Sequence, residues 1–160
     1  NRDGRLDLII TNGDNGEYRS PHKDYHGIRI YLNQGDYKFE EAFFYPLNGA
    51  FKAMAVDFDE DGDLDLAAIT YFPDYRLKPN DSFVYLENEG DLKFNAFTFK
   101  EAIIGRWLTM DAGDLDSDGD IDLVIGSVIK GPRDIPPALA KLWSEKGPSF
   151  LILENTLRRP

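Results

Sequence analysis

Two stretches decide the fold: Asp57-Phe58-Asp59-Glu60-Asp61-Gly62-Asp63-Leu64-Asp65 and Asp114-Leu115-Asp116-Ser117-Asp118-Gly119-Asp120-Ile121-Asp122. Each sets acids at alternate positions around one glycine and runs directly into an apolar segment, Leu66-Ala67-Ala68-Ile69-Thr70 or Leu123-Val124-Ile125-Gly126-Ser127. A truncated copy, Asn1-Arg2-Asp3-Gly4-Arg5-Leu6-Asp7, leads into Leu8-Ile9-Ile10-Thr11. Gly4, Gly62 and Gly119 stand 58 and 57 residues apart. A fixed period of that size marks a repeat architecture.

Outward from the acid loops the copies stay in step. The apolar segments read as short buried strands. A variable segment follows, then a second strand: Ile28–Asn33, Phe83–Asn88 and Phe150–Asn155. Gly35-Asp36 and Gly90-Asp91 mark hairpin turns into Lys38-Phe39 and Lys93-Phe94. Phe51–Val56 and Trp107–Ala112 supply a strand before the second and third loops. Four short strands with tight connections make one propeller blade, so the expected class is all-β, built of four-stranded antiparallel blades. The expected boundaries are 1–49 (lacking its first strand), 50–105, and 106–160 (lacking its last strand). About ten strands are expected, as three, four and three. The first residue is Asn1 and no charged-then-apolar leader follows, so the expectation is a processed chain or a fragment. The blades amount to about two and a half of a larger ring, which requires four to eight. The remaining blades are expected in the rest of the same protein or, alternatively, in another chain.

Composition narrows the function. The chain of 160 residues carries 18 Lys+Arg against 29 Asp+Glu, a net charge of −11. That balance argues against nucleic acid and anionic membranes and for cations. Apolar runs are short and interrupted by charge, so no membrane insertion is expected. The absence of cysteine removes disulfides, thiolate catalysis and cysteine–zinc sites. Eleven of the 29 acids fall in the two intact loops, and such crowding costs repulsion unless a cation neutralises it.

The spacing Asp-x-Asp-x-Asp-Gly-x-x-Asp suits calcium. Positions 1, 3 and 5 present carboxylates, glycine at 6 permits the turn, position 7 offers its carbonyl, and position 9 closes the shell with a hard oxygen. The expected donors are Asp57, Asp59, Asp61, the Asp63 carbonyl and Asp65, and then Asp114, Asp116, Asp118, the Asp120 carbonyl and Asp122. In the truncated loop they are Asn1, Asp3 and Asp7, with Arg2 and Arg5 lowering the charge. An EF-hand requires Glu at position 12 and flanking helices, whereas position 12 here is Ala68 or Ile125.

These loops, with their Leu-Ala-Ala-Ile and Leu-Val-Ile-Gly continuations and the Leu32-Asn33-Gln34-Gly35-Asp36-Tyr37-Lys38-Phe39 turn, resemble FG-GAP repeats of the VCBS subtype. The resemblance spans essentially the whole chain. It implies a propeller of about seven blades, like that of integrin alpha subunits, with calcium between the first and second strands of a blade. The same family includes sugar-binding propellers, polysaccharide lyases and bacterial surface proteins.

Three long insertions, Asn12–Gly27, Pro73–Asp81 and Lys130–Pro148, join second to third strands and so emerge opposite the acid loops. Loops on a rigid scaffold carry binding. Their Tyr18, His22, Tyr25, His26, Tyr75 and Trp143, with Arg19, Lys23, Arg76, Lys78 and Arg133, suit a glycan or an acidic protein segment; packing of the loops onto the blades is the alternative. His22 and His26 have zinc-like spacing, which Pro21 and Gly27 oppose by breaking a helix. Pro137–Gly147 reads as a short helix with Leu139, Leu142 and Trp143 on one stripe. No nucleophile elbow, phosphate-binding glycine loop or Ser/His/Asp constellation is present. The expected role is therefore recognition or scaffolding in an extracytoplasmic, calcium-rich setting. A carbohydrate lyase or hydrolase built on a propeller is the alternative.

Overall fold

Strand β5 (Asp65–Thr70) is buried along its whole length because its two faces serve two different cores. Leu66 and Ala68 point into one, with Ile28, Ile30, Leu47, Val84 and Leu86. Ala67 and Ile69 point into the other, with Phe83, Trp107, Met110, Leu123 and Ile125. The period-2 alternation of a strand makes this division, and the uncharged run Leu66–Thr70 permits it. Truncating Leu66 or Ile69 to alanine costs about 2–5 kcal/mol.

This computed structural model describes residues 1–13, 22–128 and 135–157. Within them, ten strands form three antiparallel sheets of three, four and three strands. The first is β1 (Leu8–Asn12), β2 (Gly27–Gly35) and β3 (Lys38–Pro46). The second is β4 (Ala50–Val56), β5, β6 (Phe83–Asn88) and β7 (Phe94–Phe97). The third is β8 (Trp107–Gly113), β9 (Asp122–Ser127) and β10 (Phe150–Leu153). In each sheet neighbours in sequence are neighbours in space, as in propeller blades. Thr11 Oγ1 donates to the Phe51 carbonyl at 2.9 Å and Lys52 Nζ to the Met110 carbonyl at 2.5 Å, linking one sheet to the next. Helix α1 spans Pro137–Lys146. Two 3₁₀ turns, Pro79–Ser82 and Lys100–Ile104, were not legible beforehand.

The hairpin turns sit one residue later than expected. Gly35 pairs with Lys38, so Asp36 and Tyr37 occupy the corner at φ 51° and 58°; Asp91 and Leu92 do the same at 53° and 57°. The right-handed twist of the strands selects this left-handed pair of turn residues. The Asn33 and Asn88 side chains brace it by accepting the Gly35 and Gly90 N–H groups at 2.9 and 3.1 Å.

Antiparallel pairing sorts the connections to two ends. Leu66 pairs with Leu86 and Ile69 with Phe83. The acid loop and the β6–β7 turn therefore share one end, and the β5–β6 insertion lies at the other, beside the β7–β8 connection.

Candidate metal centre

Each acid loop is a chain of Asx turns. Asp59 Oδ1 accepts the Asp61 N–H at 3.1 Å, and Asp61 Oδ1 accepts that of Asp63 at 2.7 Å. Asp116 and Asp118 repeat the pattern at 3.1 Å each, and Asn1 and Asp3 repeat it at 3.1 and 2.9 Å. Position 4 is left-handed in all three copies: Arg2 at φ 60°, Glu60 at 60° and Ser117 at 69°. Position 6 is left-handed too, at Gly4, Gly62 and Gly119, where a side chain would be strained.

Position 9 pins the loop to the sheet. Asp65 is fully buried. Its Oδ2 accepts the Phe58 N–H at 3.1 Å and the Tyr85 hydroxyl at 2.8 Å. Asp122 Oδ2 likewise accepts the Leu115 N–H at 2.9 Å. The other oxygen of each reaches the third strand, where Asp7, Asp65 and Asp122 accept the backbone N–H groups of Asn33, Asn88 and Asn155 at 2.9, 2.8 and 2.8 Å. Those asparagines donate back from Nδ2 to the carbonyls of Leu6, Leu64 and Ile121. Sequence reading placed these asparagines at the ends of strands and gave them no further role. Their recurrence in every copy was the signal that they do more.

The remaining acids converge. Asp57, Asp59 and Asp61 offer oxygens all within 4.8 Å of one another, and Asp114, Asp116 and Asp122 do the same. An ion about 2.4 Å from each oxygen spans such a set. Asp57 Oδ1 is buried without a hydrogen-bond partner, as is Asp120 Oδ1; an unsatisfied buried carboxylate oxygen is costly. Burial pushes Asp59 above the ordinary carboxylate range, and Asp65, Asp61 and Asp57 add to the shift. Burial and the neighbouring Asp118 push Asp120 up, and burial with Asp59 and Asp65 does so for Glu87 on β6. Donors that are all oxygen, orphaned oxygens and raised acids fit a hard divalent cation. Among the expected carboxylate donors, Asp118 lies against Asp120 rather than in the tight triad, and Asp65 is outside the triad of its own loop.

The first loop differs. Arg5 pairs with Asp3, and its backbone N–H is the largest influence holding Asp3 below the ordinary carboxylate range. Arg2 reaches out of its own loop to Asp57, Nη2 to Oδ2 3.5 Å. This loop carries its positive charge covalently.

The FG-GAP-like repeat profile matches residues 1–68 and 57–125. The chain belongs to the FG-GAP-like repeat family. Each match starts in one acid loop and ends just past the next, so the geometry above is the FG-GAP unit itself. Among curated proteins none matches the chain.

At the opposite end of the FG-GAP sheets the insertion residues divide. Tyr18, Arg19, Lys130 and Arg133 lie outside the described residues. His22 is exposed, and Tyr25 is 53% exposed, edge-on to the His26 ring at 4.9 Å. His26, Tyr75 and Trp143 are all buried, as the packing alternative has it, and do not project from this end. His26 Nδ1 accepts the Gly49 N–H at 3.3 Å and lies 3.1 Å from Asn48 Oδ1, locking the first insertion to the β3–β4 turn. Tyr75 and Trp143 pack on each other, ring centroids 5.8 Å apart, and Trp143 Nε1 donates to the Ile103 carbonyl at 2.7 Å. Apolar area buried between insertions outweighs its display to water. No helix among the described residues is long and apolar enough to cross a membrane.

Proposed function

We propose that the chain is a calcium-stiffened propeller segment that acts as a non-catalytic recognition or scaffolding module for a protein or glycan in an extracytoplasmic protein. The buried, unpartnered Oδ1 of Asp57 carries the calcium reading: beside two further carboxylates it calls for a cation that no side chain of its own loop provides. Asp57, Asp59, Asp61 and Asp65 with the Asp63 carbonyl hold one ion. Asp114, Asp116, Asp118 and Asp122 with the Asp120 carbonyl hold a second. Asn1, Asp3 and Asp7 hold a third only weakly, because Arg5 already pairs with Asp3.

The ions stiffen one end of the sheets so that the other end binds. Tyr25 supports this reading as an exposed aromatic on a buried base, its carbonyl held by Arg29 at 2.8 Å. The blades run 1–49, 50–105 and 106–160. Further blades, in this chain or another, cover the exposed Leu8 and Ile10 of β1 and the exposed Phe150 and Ile152 of β10. Calcium affinity in the range of extracellular modules, about 10⁻⁴–10⁻³ M, matches an exterior setting.

Calorimetry with calcium tests the metal reading: two or more sites are expected, with one lost in Asp59→Ala and another in Asp116→Ala. Absence of heat at millimolar calcium overturns it. Replacing residues 12–27 by a short Gly-Asp turn tests recognition. Folding and calcium binding should persist while binding to glycans or partner protein falls. Unchanged binding overturns the assignment of this surface.

A further inference from the structure

Arg106 is 2% exposed, yet its Nη1 and Nη2 have no hydrogen-bond partner. Its Nε donates to the Tyr71 carbonyl at 3.4 Å, and the guanidinium lies 3.8 Å from the Tyr71 ring centroid and 5.8 Å from that of Phe72. Stacking and the polar approach of Tyr71 and Tyr75 offset part of the cost of burying the charge, but no anion faces Nη1 and Nη2. Burial lowers its pKa, while Tyr75 and Tyr71 act in the opposite direction. Among the described residues no carboxylate forms an ion pair with it.

Arg106 lines a crevice with Thr70, Tyr75, Ser82, Ile103 and Trp143 at the insertion end of the sheets. Every other side-chain polar group there is already engaged. Thr70 Oγ1 donates to the Asp81 carbonyl and Ser82 Oγ to that of Ala102. Tyr75 donates to the Tyr71 carbonyl and Trp143 to that of Ile103. The groups without a geometric hydrogen bond are thus both donors on one cation, with no carboxylate beside them. A buried charge left unpaired is costly, and removing its partner costs far more than the pair yields. A chain of net charge −11 repels anions in general, so a lone buried cation with a free fork is a specific feature.

We infer that Arg106 is the anchor of a carboxylate-binding site, taking the two oxygens of a ligand carboxylate on Nη1 and Nη2. Two parallel donors match a planar carboxylate. The narrow crevice between aromatic walls suits a flat group better than a tetrahedral oxyanion. As it stands the crevice is narrower than a water molecule, so the ligand enters as α1 moves outward. The helix is suited to this, because Trp143 is its one buried residue and so few packed contacts open cheaply. The inference deepens the recognition reading and rests on the insertion end being the binding end. It uses none of residues 12–27, so either idea can fail alone.

The test is tryptophan fluorescence of the calcium-loaded chain titrated with sodium acetate, D-galacturonate, D-galactose and inorganic phosphate at constant ionic strength. A saturable change with acetate and galacturonate is expected, half-complete at roughly millimolar concentration. It should vanish in Trp143→Phe, which leaves Trp107 as the remaining reporter. Arg106→Lys keeps the charge and loses the fork, and should weaken binding at least tenfold; Arg106→Met should abolish it. Galacturonate binding tenfold tighter than acetate, with galactose silent, identifies a sugar acid as the source; equal affinities identify a simple organic acid. The wild-type titration alone decides if the variants do not fold. No saturable change up to 100 mM acetate and galacturonate, a response to phosphate but not to carboxylates, or titrations unaltered in the Arg106 variants each overturn the site.

Discussion

Asp65 Oδ1 accepts the backbone N–H of Asn88 at 2.8 Å, joining the end of an acid loop to the third strand of its sheet. The same carboxylate holds Phe58 and Tyr85 through its other oxygen. Asp65 therefore clamps the loop to the sheet, while Asp57, Asp59 and Asp61 at alternate positions form the cluster that could hold a metal. That division separates stability from metal binding within one nine-residue loop.

Asp65→Asn and Asp59→Asn should behave oppositely in the absence of calcium. The first weakens charge-assisted hydrogen bonds and should cost about 1.5–3 kcal/mol, with or without metal. The second removes a carboxylate already raised by burial and like charges. It should stabilise the chelated protein slightly, within about 0.5 kcal/mol, and lose the calcium-dependent gain. Urea unfolding in chelator and in calcium measures both. Equal losses for the two variants would remove the distinction.

The stability gained from calcium should shrink as pH falls toward 4. Asp59 and Asp120 have folded-state pKa values above the ordinary 3.8. Just above that pH the metal-free fold binds more protons than the unfolded chain, so these groups lower its stability as pH rises through the window. Calcium removes that penalty by neutralising them. Asp3, with a lowered value, has the opposite sign, and its weak calcium site makes it a minor contributor to the difference. Melting temperatures from pH 4 to 7, with and without calcium, read the trend; a constant difference contradicts it.

Arg2→Ala should raise calcium affinity at the second loop. The guanidinium stands 3.5 Å from Asp57 Oδ2 and is half exposed, and an exposed pair contributes about 0–1 kcal/mol. A gain of up to about fivefold follows, confined to one of the calorimetric sites. Unchanged affinity would show that Arg2 and the ion occupy separate oxygens.

Gly105→Ala should destabilise the core by about 1–3 kcal/mol. The backbone at Gly105 is extended, so conformation is not the reason. A Cβ there would stand inside the indole ring of Trp107, which is fully buried and tied through Nε1 to the Ala102 carbonyl at 2.8 Å. Thermal unfolding with near-ultraviolet circular dichroism of the tryptophans checks the displacement.

The acid loops were legible because their reasons are local. Alternate acids bond the N–H two residues on, and glycine at position 6 takes a left-handed φ, whatever the remainder of the chain does. Strand count and the 3–4–3 division followed from a period repeated three times. The Asp–Asn clamps were harder to see, since Asp7–Asn33, Asp65–Asn88 and Asp122–Asn155 are separated by insertions of different length. Nothing local in Ile103-Ile104-Gly105-Arg106-Trp107 marked Arg106 as a buried cation.

By itself, then, the sequence determined the repeated blade, its strands and the two clusters of oxygen donors, because spacing of two residues and backbone φ preferences act over a few positions. Only the tertiary structure decided which aromatics face water. Tyr25 stays outside while His26 turns in, and Tyr75 and Trp143 close over Arg106. Burial depends on which distant segments come to cover a side chain, and the 3₁₀ turns and α1 that do the covering are brought there by the sheets, not by the residues they cover.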